Sequence, residues 1–167
     1  MSSIKREEGN ILTIGLIFVA IAIIVFLFII AVFMSHINSI LYNMKLDMYS
    51  MNKSAIIAVN KNKANVDNFS YDKETYKKEF IKLLKMNYDL DDNLRNADKL
   101  IYGIDVKEYE VYENKKKDSY SNKNTDGRVI HTVLKVRIKP IILRNFLENI
   151  FIFDVHEDVS LNMLNER

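Results

Sequence analysis

The sequence has no cysteine, one proline and four glycines among its 167 residues. Without cysteine, the chain has no disulfide framework, no thiolate nucleophile and no zinc site that uses thiolate ligands. The glycines at positions 9, 15, 103 and 127 are too scattered to form a phosphate-binding loop. Nucleophile elbows and paired-carboxylate motifs are not found either. The sequence therefore predicts a protein that is not an enzyme and that uses no cofactor.

Positive and negative charges nearly balance, and charged residues are missing from one long segment. The net charge of +2 is too small for the concentrated basic stripe of a nucleic-acid-binding protein, so no nucleic-acid partner is expected. From Ile11 to Met34 there is no charged side chain, and Thr13 is the only clearly polar one. At a rise of about 1.5 Å per residue, these residues make a helix of roughly 36 Å, which exceeds the ~30 Å hydrocarbon core of a bilayer. The segment predicts a membrane-spanning helix at residues 11–34.

The residues on either side of this segment indicate whether it is removed as a signal peptide and how it is oriented in the membrane. A secretory signal has an apolar core of only about 7 to 15 residues and a small-x-small cleavage site, and Met34-Ser35-His36 is not such a site. Lys5 and Arg6 precede the segment, which favours a cytoplasmic N-terminus and an extracytoplasmic C-terminal part. The short cytoplasmic end has no room for a signalling module, so a receptor is not expected.

An apolar seam follows the membrane segment with spacings of four and three residues, which is the pattern of an amphipathic helix. Its members are Ile37, Leu41, Met44, Met48, Met51, Ala55 and Ala58. No proline or glycine interrupts residues 16–64, so we expect one long helix over residues 10–60. The seam packs either on neighbouring helices or on the C-terminal domain, and both can hold at once. Within the membrane, the small residues Gly15, Ala20, Ala22 and Ala31 offer places for close helix approach.

A short leader ends in a glycine just before the apolar segment: Lys5-Arg6-Glu7-Glu8-Gly9 is followed by Asn10, then by the apolar segment and its amphipathic continuation. This arrangement resembles the class III signal of type IV pilins and pseudopilins. The C-terminal tail, with a strand ending at Lys139-Pro140, an apolar segment and a last strand, is similar to that of TadE-like pseudopilins of the tight-adherence (Tad/Flp) pilus system. The resemblance implies cleavage between Gly9 and Asn10 by a prepilin peptidase, and partners among other pilin-like subunits or a pilus assembly platform.

One position departs from the family pattern. The fifth residue after Gly9 is Ile14, where the family usually has a glutamate that pairs with the N-terminal amine of a neighbouring subunit. A buried charge in a membrane is costly and is kept for function. Its replacement by isoleucine favours a minor, tip or accessory subunit, or a relative that is never processed, over a polymerising major pilin.

Residues 61–167 are expected to form a small extracytoplasmic α+β domain of about three antiparallel strands with one or two helices. The patterns predict a helix at 71–88, strands at 104–112 and 129–138, a short apolar helix at 141–150, and a last strand over 151–163 that is interrupted at His156-Glu157-Asp158. Residues 114–128 are predicted to be an exposed hairpin loop. One face of the sheet is expected to be buried against a helix and the other, which carries His131, to face water.

Possible metal ligands are few. Asp89-Leu90-Asp91-Asp92-Asn93 begins like a calcium loop, but Leu94 and Leu100 occupy the positions that need glycine and a bidentate glutamate. His36, His131 and His156 are isolated in sequence, so no metal site is expected. The basic run Lys115-Lys116-Lys117 is typical of a solvated loop.

The sequence thus favours a structural subunit, a minor pilin or pseudopilin of the cell membrane or of a cell-surface pilus, that acts through helix packing. Two alternatives remain open. One is an uncleaved single-pass scaffold protein of an envelope complex. The other is an extracytoplasmic binding module that uses the loop at residues 114–128.

Overall fold

The computed structural model describes residues 2–61, 73–112, 116–118, 120, 122, 124–125, 127–139 and 151–160. The elements are α1 (Ser2–Lys61), α2 (Lys73–Tyr88), β1 (Ile101–Tyr112), β2 (Val129–Ile138) and β3 (Ile152–Ser160). The predicted α+β class, with a long apolar N-terminal helix and a three-stranded antiparallel sheet, is confirmed at this level. The chain divides into two compact units, Met1–Tyr42 and Asn43–Arg167.

The first unit contains the apolar part of α1. Apart from Phe33, the large apolar side chains of residues 12–34 are 41% to 69% exposed around the whole helix. The most apolar 18-residue window of α1 has a mean hydropathy of 3.5 and none of it is buried. By length and composition, α1 is therefore able to cross a membrane. The helix begins at Ser2 rather than at Asn10, so the backbone of the predicted leader is helical as well.

The second unit includes the remainder of α1, whose apolar seam lies in the core. Of the predicted seam, Met44, Met48, Met51 and Ala55 are at most 2% exposed, and the Asn52 side-chain amide donates a hydrogen bond of 3.1 Å to Thr132 Oγ1 on β2. The expectation that part of the seam packs on the C-terminal domain is confirmed. Of the other seam residues, Ile37 is buried, and Leu41 and Ala58 are half-buried.

The sheet has the order β1-β2-β3 with antiparallel pairing throughout, so β2 is the central strand. Its first face is apolar: Ile130, Leu134, Val136 and Ile138 are completely buried. Helix α2 contributes Tyr76, Phe80 and Leu84 to the same core, and the Phe80 ring lies 5.3 Å from the ring of Tyr109 on β1. Burying large apolar side chains on this face is the main stabilising term for a domain without disulfides.

The second face of the sheet is exposed to solvent along only part of its length, which corrects the prediction that the face carrying His131 faces water. At one end of β2, Val129, His131 and Val133 are at most 4% exposed, whereas Lys135 and Arg137 at the other end are half-buried. The predicted exposed loop includes residues that are buried there: Asp118 is 1% exposed and Thr125 is 6% exposed. A folded loop therefore covers this end of the second face.

The last strand also differs from the prediction. β3 runs without a break from Ile152 to Ser160, so the expected interruption at His156-Glu157-Asp158 is wrong. In the observed register, Val155 pairs with Leu134 and Val159 pairs with Ile130, both on the buried first face. The predictions for residues 141–150, for the start of the helix at 71–72 and for positions 161–163 lie outside the described residues.

One hydrogen bond within the second unit gives a testable pH dependence. The Tyr88 hydroxyl on α2 donates a hydrogen bond of 2.6 Å to the Asp47 carboxylate on α1. Burial, and then this hydrogen bond and the charge of Asp47, raise the pKa of Tyr88 well above its ordinary value of 10.0. Because the folded pKa is raised, the contribution of Tyr88 to stability is fully present below about pH 10 and is lost as the pH rises above that value.

We expect Tyr88→Phe to lower the free energy of unfolding by about 1.5 kcal/mol at pH 8, since the bond has a charged acceptor. The difference from the wild type should vanish by about pH 11, where the unfolded wild type ionises this phenol and the variant has none. Denaturant unfolding of the full chain in detergent micelles at both pH values measures this. Tyr42→Phe is the matched control, because Tyr42 is 64% exposed. An equal loss at both pH values would contradict the assignment.

Candidate functional site

The predicted helix-packing residues of the membrane segment all lie on the surface of α1. Ala20, Ala22 and Ala31 are exposed, and a Cβ atom added at Gly15 would meet nothing within 4 Å. Gly9 and Asn10, the predicted processing site, are helical in backbone, and their side chains lie outside the described residues.

Helical geometry groups these small residues into two strips. At 100° per residue, Gly15 and Ala22 are offset by about 20°, as are Ala20 and Ala31, while the two pairs are separated by about 140° to 180°. A third strip, with Ile14 and Ile21, carries only bulky side chains. Close approach of a second helix is therefore easiest on two nearly opposite sides of α1.

A second group of polar side chains lies on the second face of the sheet. His131 pairs directly with Asp158 across β2 and β3, and His156 stands two residues before Asp158 on the same face of β3. Asp118 comes from the loop that covers this end of the face. We call these four residues the His–Asp cluster: Asp118, His131, His156 and Asp158.

The ligand atoms of the His–Asp cluster converge. Among the described residues, these four offer one nitrogen or oxygen atom each, and these atoms all lie within 4.8 Å of one another. His131 Nδ1 is 2.8 Å from Asp158 Oδ1 and 3.3 Å from His156 Nε2. His156 Nε2 is 3.1 Å from Asp158 Oδ1, and each imidazole has an Asp118 carboxylate oxygen at 3.3 Å.

The surroundings hold these groups in place. His131 is completely buried, and its ring stacks on Tyr112 with the ring centroids 5.4 Å apart. His156 stacks in the same way on Tyr120, at 5.0 Å. The Asp118 carboxylate accepts a hydrogen bond of 2.9 Å from the backbone N–H of Tyr120, which fixes its side chain within its own turn.

The loop that carries Asp118 is itself folded. Lys117 forms a β-bridge with Asn124, and the Thr125 backbone N–H donates a hydrogen bond of 2.9 Å to the carbonyl of Lys116. Asn122 and Gly127 have φ values of 60° and 85°, the left-handed region that asparagine and glycine tolerate in turns. Backbone hydrogen bonds therefore hold the described residues of this loop next to Asp118.

The cluster shifts the pKa values of two of its members. The hydrogen bond from His156 to Asp158 outweighs the opposing effect of burial, so the pKa of His156 is raised. Burial alone would raise the pKa of Asp158, but the hydrogen bonds from His156 and His131 together lower it. Both shifts favour a negatively charged Asp158 carboxylate next to a positively charged group.

Two interpretations from the sequence are therefore wrong. His131 and His156 are not isolated, because their nitrogens are 3.3 Å apart, and His131 does not face water. His36, by contrast, is exposed. The expectation of no metal site depended on that isolation. The spacing His156-x-Asp158 on a strand was the available signal, since such residues share a face.

The other acidic motif has a local structural role. Asp91 Oδ1 accepts hydrogen bonds from the backbone N–H groups of Asn93 and Arg95, at 2.8 Å and 2.7 Å. Asp89 and Leu94 adopt positive φ values of 53° and 59°, as in tight turns. The pattern that begins like a calcium loop thus stabilises a turn between α2 and β1.

Comparison of this chain with protein-family models, with curated proteins and with solved structures finds no match. Its function is therefore argued from its own residues.

Proposed function

We propose that this protein is a structural subunit of a membrane-associated assembly, held in the bilayer by α1 and packed there beside other copies of the same helix. A minor pilin or pseudopilin is the specific form that the sequence favours. In this form the N-terminus is cytoplasmic and the second unit, Asn43–Arg167, which we call the sheet unit, is extracytoplasmic.

The observation that carries the proposal is the exposed apolar surface of α1. Over residues 12–34 nearly every large side chain is apolar and at least 41% exposed, on all sides of the helix. Water does not tolerate such a surface, whereas lipid tails and other helices do. Since lipid removes the hydrophobic drive for helices to associate, contact depends on close packing at small residues such as Gly15 and Ala22.

The burial of the seam limits where this packing takes place. Met44, Met48, Met51 and Ala55 are covered within the chain itself, so they offer no surface to a second helix. Packing between subunits is therefore assigned to residues 12–34. The sheet unit, which follows from Asn43 onward, is carried by the anchored helix.

The processing step separates this proposal from the uncleaved scaffold protein. We expect the mature protein, isolated from membranes of the native cell, to begin at Asn10, because the leader Lys5-Arg6-Glu7-Glu8-Gly9 resembles a prepilin junction. Intact mass spectrometry of the mature chain measures this, and Gly9→Leu is expected to retain the leader. A native chain that begins at Met1 or Ser2 would favour the scaffold instead.

The binding-module alternative has its own discriminating result. Among the described residues of the loop that it relies on, Asp118 and Thr125 are buried, and Asp118 contacts His131 and His156 on the sheet. If the full chain retained a partner after the apolar segment was exchanged, the sheet unit rather than α1 would carry the function.

A further inference from the structure

We propose that the His–Asp cluster is a binding site for a divalent transition-metal ion of the zinc type, with Asp118, His131, His156 and Asp158 as its four ligands. The site is independent of how α1 assembles, because all four ligands belong to the sheet unit. A metal here would fasten the loop that carries Asp118 to strands β2 and β3.

The distances fit a tetrahedral ion. With metal–nitrogen and metal–oxygen distances of about 2.0–2.1 Å, the ligand atoms of a tetrahedral site lie roughly 3.3–3.4 Å apart. In the cluster, the contacts of the two imidazoles run from 2.8 Å, between His131 Nδ1 and Asp158, to 3.3 Å, with Asp118 directing Oδ1 at His131 and Oδ2 at His156. Because one ligand atom from each of the four residues lies within 4.8 Å of the others, side-chain shifts of about an ångström bring them to tetrahedral spacing.

A proton on each imidazole accounts for the contacts with Asp158 but leaves no hydrogen for the 3.3 Å contacts of the imidazoles with Asp118. His131 Nδ1 faces three groups, Asp158, Asp118 and His156, at 2.8 Å, 3.3 Å and 3.3 Å, and a single N–H bond is directed at only one of them. If that nitrogen carries no hydrogen, its lone pair faces two carboxylates without a donor between them. One cation at the centre is able to bind these nitrogen and oxygen atoms at the same time.

The other nitrogen of His131 supports the same conclusion. Nε2 is buried and makes no hydrogen bond, and a carboxylate oxygen of Glu108 lies 3.4 Å from it. Histidine ligands of metals typically direct their second ring nitrogen at a carboxylate, which fixes the tautomer and strengthens the ligand. With Nδ1 on the metal and the hydrogen on Nε2, Glu108 is placed for this role.

The charge of the site and the type of its donor atoms narrow the choice of metal ion. Two carboxylates and two neutral imidazoles carry a charge of −2, which one divalent ion neutralises in a site where uncompensated charge is costly. Imidazole nitrogen suits zinc and its first-row neighbours, whereas calcium and magnesium prefer oxygen ligands throughout. Four protein ligands and a buried centre are typical of a closed structural site rather than a catalytic one.

A structural metal would also fit the needs of this domain. The sequence has no cysteine, so no disulfide joins the segments of this unit. A bound metal ion contributes its binding free energy to the stability of the fold. An ion held by residues 118, 131, 156 and 158 links three separate parts of the chain, as a disulfide would link two.

Zinc binding by the full chain in detergent micelles tests the proposal. After removal of metals with a chelator, we expect the wild type to bind one equivalent of Zn²⁺ in competition with a chromogenic chelator, and not to bind Mg²⁺ or Ca²⁺ there. His156→Gln and Asp158→Asn should each weaken Zn²⁺ binding by at least about 100-fold. Loss of a residue that only supports a ligand costs at most about 100-fold, so a larger loss indicates a direct ligand. His36→Gln is the matched control and should bind as the wild type does.

Circular dichroism establishes that each variant is folded. Should both cluster variants fail to fold, Co²⁺ loaded into the wild type provides a second measurement, since a four-coordinate nitrogen and oxygen site gives intense visible ligand-field bands. Absence of saturable Zn²⁺ binding by the folded wild type would overturn the proposal. So would equal affinity of all three variants, or an octahedral Co²⁺ spectrum.

Discussion

Three lysines placed in the apolar stretch of α1, as Val19→Lys, Ile23→Lys and Phe26→Lys together, are expected to release the protein from the membrane. Eighteen of the residues from 11 to 34 are isoleucine, leucine, phenylalanine or valine. At about 0.3 to 0.6 kcal/mol each, they favour insertion by roughly 5 to 11 kcal/mol at most. Each central lysine opposes insertion by about 2.5 to 3.5 kcal/mol, so three lysines cancel the gain.

The same magnitudes predict that one lysine is not enough. Ile23→Lys alone should leave the protein in the membrane fraction after extraction with alkaline carbonate, while the triple variant should appear in the supernatant. The control carries leucine at the same three positions and should behave as the wild type does. A triple-lysine variant that stayed in the membrane would mean that something other than α1 holds the protein there.

The strands show how far the sequence alone predicts this fold. β2 was predicted with its observed bounds, Val129–Ile138, because strict alternation and the following Pro140 define it. The sequence pattern predicts an interruption of β3 at His156-Glu157-Asp158, where the apolar alternation is broken. Val155 and Val159 are four residues apart, an even number that keeps both on one face, so the strand continues through the polar stretch.

The buried polar groups were not predictable in the same way. The sequence pattern places His131 on a solvent-exposed face, because Lys135 and Arg137 lie an even number of residues away and so share its side of β2. In the structure, that side of β2 is buried at the end that carries His131 and half-buried at the other end. What covers it is a loop residue, Asp118, that is thirteen positions away in sequence and shows no periodic signal. Contacts of this kind depend on tertiary packing, which local pattern does not encode.

For helix α1, the sequence predicts which residues are buried but not what covers them. Its seam from Met44 to Ala55 was expected to pack on the domain, on other helices or on both, because an apolar face specifies burial but not its partner. In the structure these residues are buried inside the second unit. The apolar residues from Leu12 to Met34 remain exposed, and they are where an association between chains has to be sought.

Lateral packing of α1 against a second copy of the chain is tested most directly by disulfide cross-linking in native membranes. The sequence has no cysteine, so a single introduced cysteine is the only thiol in the protein. Gly15→Cys and Ala22→Cys place it on a strip of small residues. Ile14→Cys and Ile21→Cys place it at nearly the same depth but about 100° around the helix.

With a membrane-permeant oxidant, cysteine at positions 15 and 22 is expected to give covalent dimers, whereas cysteine at positions 14 and 21 should give few. Ala20→Cys and Ala31→Cys, on the opposite strip, report whether a second contact extends the assembly beyond a dimer. Equal cross-linking at all positions would indicate random collisions, and no cross-linking at any of them would indicate that α1 does not pack against a second copy of itself. Either result would contradict packing through the small residues of α1.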